Sequence, residues 1–201
     1  FPVYHHRRVR WQSCQSVTPV SLTEAFVKLQ ALLLVAAFSN GSWADEALDI
    51  VNYRQYTANL ASSGQLQKSH LQKLQSQGVQ RIVYLAYRAH GDADNLSIDQ
   101  HATDLGLQYV HIPVPWQSPS ISDYRTFAAV MSSQTSANTL VHCQLNYRAS
   151  AFSFLYRVLV LKTPVNEALL DLTGVWQPNE TWWNFINTVL QEHNQPPVSP
   201  R

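Results

Sequence analysis

The residues with the most chemistry sit close together, in the stretch Leu140–Ser150, LVHCQLNYRAS. An apolar run ends in His142-Cys143. Gln144, Leu145, Asn146 and Tyr147 follow, then Arg148, then the strongly apolar Ala149–Leu161. A tight loop that leads from a buried strand into a helix turns backbone N–H groups toward one point, where the helix dipole favours negative charge. The same field, with Arg148 beside it, favours the thiolate form of Cys143. A thiolate in such a cradle is placed for in-line attack on phosphorus, with the backbone from Gln144 to Arg148 binding the phosphate oxygens. Arg148 can grip two of those oxygens through its planar fork, which a lysine could not do. A lone cysteine is more often a small buried apolar group, and it is the neighbours of Cys143 that argue against that reading.

The elements that must position this loop can be read from patterning. Tyr53–Leu60 is expected to be a strand, followed by a turn at Ser62-Ser63-Gly64-Gln65. His70–Gln77 has helical spacing and stops at Gly78. Arg81–Tyr87 and Gln108–Val114 read as strands, with a short helix Ile98–Leu105 between them. A helix from Asp123 to Ser133 precedes the strand Asn138–His142, which is expected near the centre of the sheet. Ala149–Leu161 should be a buried helix, and helices over Val165–Leu172 and Thr181–Glu192 complete the set. Strands alternating with helices predict one α/β domain, with a mostly parallel central sheet and helices on both faces.

Composition agrees with one packed domain. The chain has 201 residues, 45% of them hydrophobic and 13% charged, with a formal net charge of +1. The first 44 residues hold Arg7, Arg8, Arg10 and Lys28 against Glu24, so the remainder carries 10 basic and 12 acidic residues. That balance provides no basic patch for nucleic acid or an anionic membrane. Lys28, the apolar run Ala31–Phe38 and Ser42-Trp43-Ala44 together read as a cleavable signal, residues 27–44, too short for a membrane span. A buried core helix is the competing reading of that run. Export, to the periplasm, is the corresponding expectation, with translation starting at Val27 and residues 1–26 carrying no fold of their own. The domain then runs from 45 to 193, ahead of a Pro-rich tail, 194–201, expected to fray. Cys14 falls outside the domain, leaving Cys143 with no intramolecular disulfide to form.

The order strand, His-Cys, loop, Arg, helix resembles the protein tyrosine and dual-specificity phosphatases, and in particular a bacterial branch of small phosphatase-like domains. Ser63-Gly64-Gln65, Gly78-Val79, the run from Gly106 to Val114 and Arg148–Phe152 extend the resemblance over about Tyr53 to Phe185. It implies hydrolysis of a phosphomonoester through a phosphocysteine, with a phosphorylated substrate as partner and neither metal nor organic cofactor. It also implies a general acid on the loop 113–123, whose sole carboxylate is Asp123. Asp123 also suits a first-turn helix charge, and Asp92 and Asp94 are the alternative acids. His142 is expected to orient the loop, Ser150 to assist departure of the thiolate, and Trp116 to face the substrate. The loop departs from the family pattern, which places five residues between Cys and Arg, a Gly among them, and a Ser or Thr after Arg. Four intervening residues also suit a rhodanese-like sulfurtransferase, so persulfide transfer is an alternative, as is an anion-binding module without turnover. The segment His90-Gly91-Asp92-Ala93-Asp94 is the nearest approach to a metal-ligand cluster and lacks the spacing for one.

Overall fold

The computed structural model describes residues 49–87 and 97–199. The expected signal and upstream segments, and His90, Asp92 and Asp94, lie outside them. The described residues form a five-stranded sheet of order β1-β2-β5-β3-β4, made of β1 (Arg54–Thr57), β2 (Leu60–Ser63), β3 (Arg81–Tyr84), β4 (Gln108–His111) and β5 (Thr139–His142). β2, β5, β3 and β4 run parallel, and β1 pairs antiparallel with β2 at the edge. The described residues also form six helices, α1 (Lys68–Ser76), α2 (Ile98–Asp104), α3 (Ile121–Ser133), α4 (Tyr147–Leu159), α5 (Val165–Val175) and α6 (Glu180–Glu192). Leu71 and Leu74 of α1 and Ile98 and Ala102 of α2 pack with Ile82 and Leu140 on one face. Phe127, Phe152, Leu172 and Trp182, from α3 to α6, pack with Val83 and Val141 on the other. This is the α/β architecture that the alternation of elements predicts, with β5 at the centre.

The first strand differs from expectation. Tyr53–Leu60 is divided by a tight turn in which the Asn59 amide donates to Thr57 Oγ1 at 3.2 Å. Ser62 and Ser63, expected in a turn, belong to a fully buried β2. Their hydroxyls are satisfied locally, Ser62 by Tyr56 at 2.6 Å and Ser63 by the Gly64 carbonyl at 3.0 Å, so a polar strand can be buried. α3 and α4 each start two residues before the expected position, because Ser120 and Asn146 are their N-caps. The earlier start of α4 brings Tyr147 and Arg148 into its first turn. The tail is anchored rather than frayed: the Asn187 side chain donates to the Val198 carbonyl at 2.9 Å and accepts from its amide at 2.7 Å.

Candidate active site

Cys143 directly follows the central strand. Its amide donates to Ser63 O at 3.2 Å, which carries the β2–β5 pairing one residue further, and only 1% of the residue is exposed. The thiol is free. It opens on a cavity of about 310 Å³ that Trp116, Gln144, Leu145, Tyr147 and Arg148 also line.

The loop turns through Asn146, whose φ of 68° lies in the left-handed region that asparagine tolerates better than most residues. Asn146 is the N-cap of α4, yet its side chain makes no cap hydrogen bond. The first main-chain bond of the helix is Ser150 N to Asn146 O at 2.8 Å. The amides of Tyr147, Arg148 and Ala149 therefore have no acceptor within the helix, the ordinary condition of a first turn that awaits an outside partner. With the dipole added, the cavity floor is suited to an anion.

Arg148 is 8% exposed and held from two sides. Its Nε donates to Val114 O at 3.0 Å, and its guanidinium lies over the Trp116 ring, 5.2 Å from the centroid. Trp116 is fixed in turn by Trp182 Nε1, which donates to its carbonyl at 3.2 Å. Trp176 stacks on Tyr147 with centroids 4.6 Å apart and planes within 6°, and its centroid lies 5.5 Å from that of Trp116. One wall of the site is thus aromatic. Trp116, expected to face substrate, lines the cavity and also supports Arg148.

His142 is buried, with its ring stacked on Tyr84 at 4.6 Å and both ring nitrogens without a hydrogen-bond partner. Burial, with a smaller contribution from nearby His111, pushes its pKa from 6.5 down to about 3, so the ring is neutral at ordinary pH. The Ser150 hydroxyl donates to Tyr147 O at 3.1 Å, within its own helix. Asp123 stands apart from the cavity lining. Its Oδ2 accepts from Ser120 N at 2.9 Å and from Ser120 Oγ at 2.7 Å, while its own amide donates back to Ser120 Oγ at 3.2 Å. This is a capping box, and it engages one oxygen, Oδ2, of the carboxylate expected to act as general acid. No carboxylate lines the cavity among the described residues. Nor do those residues contain a group of three or more His, Cys, Asp or Glu able to hold a metal ion. No described helix is long and apolar enough to cross a membrane.

Sequence reasoning passed over Val114 and Asn52. Val114 acts through its carbonyl, which leaves no mark on residue type. Asn52 meets the loop from far away in the chain, its side chain donating to Leu145 O at 3.0 Å.

A family model described as DSP-PTPase phosphatase fused to NAD+ kinase matches residues 35–178. A protein of the DUF442 class from Shewanella putrefaciens CN-32, described as a candidate phosphatase, is 29% identical with a TM-score of 0.64, over 72% of this chain and 95% of that one. TpbA of P. aeruginosa is 15% identical over 74% of this chain and 91% of its own, with a TM-score of 0.57. TpbA is also known as a cysteine-to-serine variant in complex with phosphotyrosine. Kinase-associated phosphatase matches at 14% identity over 67% of this chain and 87% of its own, with a TM-score of 0.58. For these last two the likeness is one of fold. No curated protein matches the chain.

Proposed function

Since the chain belongs to the family of DSP-PTPase phosphatases fused to NAD+ kinase, we propose that it hydrolyses a phosphomonoester through a phosphocysteine on Cys143. The observation that carries this reading is the meeting of Cys143 and Arg148 in one cavity at the uncapped start of α4. The Cys143 sulfur attacks phosphorus, and the ester P–O bond breaks as the S–P bond forms. The backbone amides of the loop from Gln144 to Arg148 and the Arg148 guanidinium hold the non-bridging oxygens, whose charge builds up in the transition state. The departing oxygen takes a proton from solvent. Water then attacks the phosphocysteine, releasing inorganic phosphate and returning the thiolate.

The leaving group follows from the same geometry. With no carboxylate lining the cavity among the described residues, an ester whose oxygen departs as a stable anion reacts most readily, which favours aryl over alkyl phosphates. The wall of Trp116, Tyr147 and Trp176 supports the same choice, since aromatic groups pack well against one another. Phosphotyrosine, the ligand of the TpbA variant, is accordingly the class we propose. Family membership favours phosphoryl transfer over the sulfurtransferase alternative. Export through residues 27–44 belongs to the same proposal, and fractionation of expressing cells tests it, retention in the cytosol counting against it.

Steady-state hydrolysis of an aryl phosphate tests the central reading. We expect turnover that vanadate inhibits competitively and that Cys143→Ser abolishes. Thiosulfate-to-cyanide sulfur transfer without phosphatase activity would overturn it.

A further inference from the structure

The loop that cradles the anion is held from outside by a short strap, residues 50–53, that precedes β1. Asn52 is exposed, and its φ of 50° is in the left-handed region, as is that of Asn146. The strap and the loop bond in both directions, across 93 and 94 positions of sequence. Asn52 Nδ2 donates to Leu145 O at 3.0 Å, and Asn146 Nδ2 donates to Asn52 O at 2.6 Å. The end of β2 closes the other side. Gly64 N donates to Val51 O at 2.7 Å and Gln65 N to Gln144 O at 2.9 Å. The fit is close enough that a Cβ on Gly64 would come within 2.9 Å of Gln144 O and 2.8 Å of the Val51 Cβ.

We propose that Asn52 is a positioning residue of the phosphatase site: it fixes the Leu145–Asn146 peptide and with it the shape of the anion cradle. The inference rests on the phosphatase reading above. In a trans peptide the C=O and the following N–H point in opposite directions. Holding the Leu145 carbonyl therefore sets the direction of the Asn146 amide, just as Gln65 N, by holding Gln144 O, sets that of the Leu145 amide. The loop has no glycine to make its left-handed turn, so Asn146 makes it. A glycine at 52 could adopt the same backbone but would have no Nδ2 to donate. Both positions thus use the residue type that combines tolerance of positive φ with a side-chain donor. Leu145 itself is 49% exposed and contributes little packing to hold the loop, which leaves the hydrogen bonds of the strap to do so.

The test is the pair Asn52→Gly and Asn52→Asp, since both residues tolerate the left-handed backbone and neither, when Asp is ionised, donates to Leu145 O. Vanadate inhibition is measured together with the alkylation rates of Cys143 by iodoacetate and by iodoacetamide. A misdirected cradle amide should weaken vanadate about tenfold, lower kcat by a similar factor and reduce the preference for the anionic reagent. The neutral reagent reports the thiol itself and should change much less. Unaltered vanadate inhibition and an unaltered iodoacetate preference in folded variants would overturn the role assigned to Asn52. Loss of the thermal unfolding transition in both variants would also overturn it, in favour of a folding role. A wild-type chain that neither binds vanadate nor prefers iodoacetate would instead remove the phosphatase reading, and the positioning role with it.

Discussion

Arg81 and Arg148 are both buried, lie at opposite ends of the same sheet, and differ in what is left for a ligand. Arg81 opens β3 and is 1% exposed. Its Nε donates to Thr139 Oγ1 at 3.0 Å, and its Nη atoms donate to the carbonyls of Val130 at 2.8 Å and of Met131 and Gln134 at 3.3 Å. It closes the C-terminal end of α3 and ties that helix to the bases of β3 and β5. Arg148 donates only through Nε, to Val114 O, among the described residues, and its remaining N–H groups are free to meet an anion in the cavity beside Cys143. Burial alone therefore does not identify a functional arginine. Unfilled donor capacity beside a nucleophile does.

Substitution at Arg148 should separate the two arginines most. Arg148→Lys keeps the charge and loses the fork, and kcat for an aryl phosphate should fall by about a thousandfold or more. Its thermal unfolding midpoint should move little, because only one of its hydrogen bonds is internal. Comparable activity in the variant would return Arg148 to a structural role. Arg81→Met should do the reverse. Loss of the donors that satisfy three helix-end carbonyls should cost roughly 3 kcal/mol of stability in denaturant titrations, with kcat per folded molecule near that of the wild type. A kcat that collapsed along with stability would mean the two ends of the sheet are coupled.

Per pH unit, a smaller effect is expected at His142, between the two. An unfolded His142 binds a proton near 6.5 and the buried one only near 3. Between those values the unfolded state binds more protons, so stability is complete above 6.5 and declines as pH falls below it. His142→Phe keeps a ring against Tyr84 and should flatten this dependence by roughly 1.4 kcal/mol per pH unit. Parallel stability profiles for the two proteins between pH 4 and 6.5 would refute the assignment.

The smallest effect is expected at Asp123. Asp123→Asn should cost about 1 kcal/mol through the capping box and leave the ratio of aryl to alkyl ester hydrolysis unchanged. A selective loss on alkyl esters would restore it as the general acid.

These contrasts also mark how far the sequence could be read. The order of elements, the central place of β5 and the pairing of Cys143 with Arg148 were legible because hydrophobic runs and the strand–loop–helix succession are local signals. The division of Tyr53–Leu60 into two strands was not, since the burial of Ser62 and Ser63 depends on partners in β1 and β5 that no window of residues contains. Asp123 was ambiguous for a physical reason: a carboxylate near a helix start suits capping and proton transfer equally until the position of Ser120 is known. Asn52 carried no signal, because its role consists of bonds to a loop 93 positions away. Arg81 and Arg148 are one residue type with opposite roles, and only the acceptors around each tell them apart.

The phosphocysteine is tested most directly by acid quench of the enzyme during turnover of an aryl phosphate, followed by mass spectrometry of the peptide that holds Cys143. A phosphocysteine intermediate requires a fraction of that peptide to carry one phosphoryl group, absent in Cys143→Ser and depleted by vanadate. An unmodified peptide during demonstrable hydrolysis, or the addition of a sulfur atom when thiosulfate is supplied, would contradict it.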